Sequence, residues 1–187
     1  MAQKTDHERS FDRGDELLSR VMGETITEGE TAYDLLTEFQ RGYPVSKLRL
    51  LLNASNRDAV AAGTWIASEL AISARPLFND VVNLLHYPFA YVRFFALEYI
   101  LSCVRPEDED AISTVLDLVE DPEHSVRWLA LTFLAMAPAA ILRAAMAGRD
   151  PADRHLLFWR TASHGILHQR ALEADGRQAT SECQSTR

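Results

Sequence analysis

The chain has 187 residues and a formal net charge of -8, with 47% apolar and 25% charged residues. That composition excludes wholesale disorder and fits one globular domain with a real core. Its 27 acids against 19 Lys and Arg disfavour a general nucleic-acid binder, and no apolar run approaches the roughly 18 residues of a membrane-spanning helix.

Taken in chain order, residues 1–14 lack apolar periodicity and are expected as a flexible N-terminal tail, without the apolar core of a signal peptide. A single domain is expected over 15–173. Within it, residues 33–39 (YDLLTEF) predict an N-terminal helix. Prolines stand at 44, 76, 88, 106, 122, 138 and 151, each at a junction between helix-length intervals, where proline is tolerated. Alternation of strand period is not evident, and glycine is scarce, so hairpins lack support. The acidic run Glu107-Asp108-Glu109-Asp110 follows Pro106 and is expected to cap and begin a helix. Residues 139–147 and 152–172 predict C-terminal helices, and 174–187 a flexible C-terminal tail. Charge is uneven along the chain, at -5 over 1–43, -4 over 44–147 and +1 over 148–187.

An internal repeat organises the middle of this chain. An offset of 34 carries Leu84, Pro88, Val92, Arg93, Ala96 and Leu97 onto Leu118, Pro122, Val126, Arg127, Ala130 and Leu131. A step of 33 in the other direction gives a weaker copy, with Leu51-Leu52, Ala59, Gly63 and Ile66 at the matching places. Each copy reads as a first helix ending in paired apolar residues, a short turn, and a second helix with a small residue that admits close packing. In the second helix of the middle copy, Val92, Ala96, Tyr99 and Cys103 share one face and are expected to be buried.

The residues Asp121-Pro122 with Val126-Arg127-Trp128-Leu129-Ala130-Leu131, and Tyr87-Pro88 with Val92-Arg93-Phe94-Phe95-Ala96-Leu97, resemble the HEAT-repeat family. The resemblance is clearest over 44–138. The first copy departs from it, with Val60 in place of the arginine and no proline in its turn. The resemblance implies an all-α fold: an α-solenoid of about three HEAT-like helix pairs with capping helices at both ends. It also implies that Arg93 and Arg127 order the stack through neighbouring acids or helix ends, and that the second helices line a concave, partner-binding surface.

On that surface the expected positions are Asp58, Trp65 and Glu69 in the first copy, Tyr91, Phe94 and Glu98 in the middle copy, and Trp128 and Thr132 in the last. Aromatic anchors ringed by charge are characteristic of protein interfaces. Metal and catalytic readings are weak. His164 and His168 are four apart but lack companion ligands, and neither a phosphate-cradling glycine loop nor a nucleophile elbow is present. Cys103 lies on an apolar helix and reads as a core residue, and Cys183 sits in the polar tail, which fits a reducing compartment. No enzyme activity and no cofactor are expected.

The overall style is similar to small bacterial immunity proteins of polymorphic and contact-dependent toxin systems. That similarity implies a cytoplasmic, non-catalytic binder that neutralises a basic toxin domain by stoichiometric binding. The alternatives are a HEAT-like nucleic-acid-binding protein or DNA glycosylase, against which stand the acidic repeat segment and only two lysines, Lys4 and Lys47, and an adaptor or lyase-type chaperone.

Overall fold

The computed structural model describes residues 6–23, 29–138, 141–143 and 146. Among these the chain is all-helical. Its α-helices are α1 (Asp6–Gly23), α2 (Gly29–Gln40), α3 (Arg49–Leu52), α4 (Arg57–Leu70), α5 (Phe78–Val82), α6 (Ala90–Cys103), α7 (Glu109–Asp117) and α8 (His124–Met136). Tighter 3-10 segments cover Val45–Leu48, Ala71–Leu77, Asn83–His86 and Leu118–Glu120. No described helix is long and apolar enough to cross a membrane.

The helices α2, α4, α6 and α8 pack against one another in that order, with the most extensive contact between α4 and α6. The shorter α3, α5 and α7 each pack on the long helix that follows them. Buried apolar side chains from Leu17 to Leu142 form one contiguous cluster. Within α6, Val92, Ala96, Tyr99 and Cys103 are buried, and so are Leu97 and Ile100 on a second side. A helix apolar on both sides belongs between neighbours, and α6 lies between α4 and α8.

The repeat is visible in the starts of the long helices. Those of α4, α6 and α8 lie 33 and 34 residues apart, the same steps as the sequence offsets. The small residues Gly63, Ala96 and Ala130 are all buried. A Cβ on Gly63 would stand 2.6 Å from Leu51 Cβ, so α3 and α4 approach more closely than any side chain there would permit.

The two repeat arginines make matching bonds. Arg93 Nη1 donates to the carbonyls of Tyr87 and Pro88 at 2.8 and 3.0 Å. Arg127 Nη1 donates to those of Asp121 and Pro122 at 2.6 and 2.8 Å. Each guanidinium thus closes the turn that precedes its own helix. Arg93 also reaches forward to Asp121, 28 residues on. Two further pairs span similar distances in sequence: Arg49 with Asp80 at 3.0 Å and Arg75 with Asp108 at 2.6 Å. The Arg75 guanidinium also lies 3.8 Å from the centroid of the Phe78 ring.

Two expectations need correction. The expected tail boundary at residue 14 falls inside α1, which begins at Asp6. Tertiary contacts hold this helix: Gly14 lies directly against the Tyr43 ring, and the Tyr43 hydroxyl donates to Asp15 Oδ1 at 2.5 Å. That bond, with the Lys47 ammonium at 2.9 Å, holds the Asp15 carboxyl below its ordinary range. Second, Asp108 occupies the N-cap position of α7 but makes no side-chain cap. Its carboxylate instead accepts two bonds from Arg75 Nη2 and one from the Arg105 amide. A guanidinium brings a full opposite charge to both oxygens, whereas a cap bond offers the carboxylate only one backbone N–H.

Of the expected C-terminal helices, 141–143 are helical and Leu142 is buried. The segment 152–172, His164, His168 and the tail 174–187 lie outside the described residues.

Candidate functional site

The accessible side of α4 begins with a capped turn. The Asn56 side chain accepts a bond from the Asp58 amide at 3.0 Å, which satisfies one of the helix's open donors. This fixes Asp58 in the first turn of α4, with Ala61 and Trp65 following on the same face at helical spacing. Trp65 is half-buried, and Tyr33 from α2 stacks on it with ring centroids 6.4 Å apart and planes 26° from parallel.

A cavity of about 520 Å3 opens at this place. Gly29, Ala32 and Tyr33 contribute to it from α2, and Arg57, Asp58, Ala61, Ala62 and Trp65 from α4. Phe89, which precedes α6, and Tyr91 and Val92 at the start of α6 complete the wall. A volume of this size lies within the range of about 300–1,000 Å3 usual for ligand pockets. Its rim is aromatic and accessible, with Tyr33 63%, Tyr91 56% and Phe89 43% exposed. The Arg57 guanidinium carbon lies 4.9 Å from the Phe89 ring centroid, and its Nε lies 3.3 Å from Asp58 Oδ1.

The structure brings Asp58, Trp65 and Tyr91 together around this cavity. Phe94 is half-buried and meets Phe95 edge-on at 5.2 Å, and Phe95 in turn meets Tyr91 at 4.6 Å. Glu69, in the last turn of α4, and Glu98, on α6, are exposed and near enough to repel. Burial, and then the Glu69 charge, raise the Glu98 carboxyl above its ordinary value. Trp128 and Thr132 lie on α8, outside the cavity. Trp128 is exposed, and the Thr132 hydroxyl donates to the Trp128 carbonyl at 2.9 Å.

Beyond its small and aliphatic lining, the aromatic and charged side chains of the site that were not among the expected positions are Tyr33, Arg57 and Phe89. Tyr33 belongs to a helix read only as a cap. Phe89 sits in a turn, where helical periodicity carries no information, although its aromatic side chain beside Pro88 was a visible signal.

Other chemistry is sparse here. Cys103 is buried, donates to the Tyr99 carbonyl at 3.1 Å and has its thiol pKa pushed up by burial. Such a thiol is a poor nucleophile. Among the described residues, no group of three or more His, Cys, Asp or Glu side chains is placed to hold a metal ion.

No family model matches the chain, and no curated protein matches it. Among solved structures it is similar to the crystal structure of an engineered protein, with 15% identity over 86% of this chain and 75% of that one, at a TM-score of 0.46.

Proposed function

We propose that the chain is a non-catalytic protein-binding module built as a short HEAT-like α-solenoid, with α1 and α2 capping its N-terminal end. Supporting this are the 33- and 34-residue steps between α4, α6 and α8, and the matching carbonyl bonds of Arg93 and Arg127. Stacked repeats present long, continuous faces to partners.

The observation that carries the binding reading is the accessible row on α4 and α6. Asp58, Trp65 and Tyr91 meet at one cavity, and Glu69 and Glu98 lie beyond it. Exposed aromatic rings bordered by carboxylates supply anchors and charge steering together. The partner this face fits is basic. In the specific form we propose, it is a toxin domain, and the chain acts as a cytoplasmic immunity protein. It binds one to one and covers the toxin's working surface, so the inhibitor performs no chemistry.

Co-expression with a basic toxin domain encoded beside this gene tests the reading. The expected outcome is growth protection and a one-to-one complex on gel filtration, both lost in Glu98→Lys with no fall in melting temperature. Absence of a complex and of protection overturns it.

A further inference from the structure

The cavity between α2, α4 and α6 combines groups that suit one kind of ligand atom. Ring faces present negative potential to a cation, and a carboxylate supplies a full opposite charge. Here Tyr33 and Trp65 form a stacked wall, Tyr91 also lines the cavity, and the side chain of Asp58 is 28% exposed.

The chain itself displays the affinity of this place for a guanidinium. Arg57 lies over the Phe89 ring and against the Asp58 carboxylate. Its side chain is 62% exposed, and a pair so exposed is held weakly. Arg57 is therefore easily exchanged for a cation arriving from outside.

We propose that this cavity is the receptor for an arginine side chain of the protein partner, which stacks among Tyr33, Trp65 and Tyr91 and displaces Arg57 from Asp58. The inference rests on the protein-binding function proposed above and names the anchor its partner must carry. Arginine fits better than lysine because its planar guanidinium both stacks on rings and forks toward a carboxylate. An anion is disfavoured, since Asp58 faces it. Glu69 stands eleven residues further along α4, which at helical rise is about 16 Å from Asp58. With Glu98 beside it, this second acidic position sets a spacing. A partner with two basic side chains about five residues apart on an extended segment meets both.

The test uses arginine amide and its uncharged isostere citrulline amide as probes. Binding is followed by the Trp65 indole and the Tyr33 and Tyr91 ring signals in NMR spectra. Arginine amide is expected to move these signals, with citrulline amide about tenfold weaker, matching the strength of a partly desolvated cation–π contact. Asp58→Asn is expected to lose a similar factor at unchanged melting temperature, and Arg57→Gln to bind arginine amide more tightly. Equal binding of citrulline amide overturns the proposal. So does movement of the same signals by inorganic phosphate, which makes Arg57 the receptor for an anion. The growth-protection assay separates this inference from the one beneath it. Protection by wild type and Asp58→Asn alike, with no arginine amide binding, overturns the pocket assignment and leaves the binding module standing. Arginine amide binding without protection by wild type overturns the toxin-neutralising role and leaves the pocket.

Discussion

Arg93 and Asp121 form a two-point ion pair across 28 residues, with Nε to Oδ2 at 2.7 Å and Nη2 to Oδ1 at 2.8 Å. The side chains are only 11% and 4% exposed. The pair ties α6 to the turn that starts α8. Asp121 also accepts the Glu123 amide at 2.8 Å, so its oxygens are well satisfied. Burial by itself raises this carboxyl, but the Arg93 guanidinium and the Glu123 amide outweigh it and hold the group below its ordinary value of 3.8.

Arg93→Ala leaves the Asp121 carboxylate buried and unpaired. The expected loss is about 3–5 kcal/mol, the usual cost of breaking one side of a buried pair, read from urea denaturation. A loss under about 1 kcal/mol assigns the pair to the surface class. Because the folded carboxyl titrates below the unfolded one, its contribution is full above 3.8 and disappears as pH falls through the folded value. In Asp121→Asn this acid-side dependence should shrink.

Glu98 has the opposite sign. Its folded carboxyl is raised above 4.5 by burial and by Glu69, so its favourable contribution is present below 4.5 and is lost as pH rises through the folded value. Glu98→Gln should therefore raise the melting temperature near about pH 7 and leave it unchanged at low pH. An equal rise at both pH values removes the carboxylate repulsion as the cause. The nearby Ala96, fully buried, behaves differently. Ala96→Glu places an unpaired charge in the core and should prevent stable folding.

Ala71 closes α4 at φ 47° and ψ -122°, a conformation that favours glycine. An L-residue with positive φ carries a cost of about 1–2 kcal/mol. Ala71→Gly removes that cost but adds about 0.4–1 kcal/mol of unfolded-chain entropy to be lost on folding. A net gain of up to about 1.6 kcal/mol is expected, seen as a higher urea midpoint. A lower midpoint means the backbone there is not strained.

Gly63→Ala forces a methyl group to 2.6 Å from Leu51 Cβ, an atom that cannot move without its backbone. Overpacking of this kind costs about 1–3 kcal/mol. Gly23→Ala, with nothing within 4 Å of the added carbon, serves as the control and should change stability by less than about 0.5 kcal/mol.

Much of the local structure could be read without coordinates. The steps of 33 and 34 and the small residues at 63, 96 and 130 follow from the internal repeat, and the buried row Val92, Ala96, Tyr99 and Cys103 from helical period, because burying one stripe of a helix imposes that period on the residues themselves. The expected accessible row was partly legible for the same reason, since positions off the buried stripe must face elsewhere. The Asp108 cap failed because capping is a local preference, whereas the Arg75 guanidinium comes from a segment 33 residues earlier. The helical character of 6–14 was missed because its support, the Tyr43 ring and hydroxyl, is equally remote.

Sequence by itself determined that the described chain is helical, the 33- and 34-residue spacing of α4, α6 and α8, and which residues the first face of α6 buries. Helicity and the buried face depend on neighbours three or four positions away. Tertiary structure alone decided that Tyr33 of α2 stacks on Trp65 of α4 and that Phe89 and Tyr91 line the same cavity. Helical period leaves the meeting of these rings undefined, because it depends on how whole helices pack side by side. That packing is set by small residues such as Gly63 and by ion pairs such as Arg93 with Asp121, acting between parts of the chain far apart in sequence.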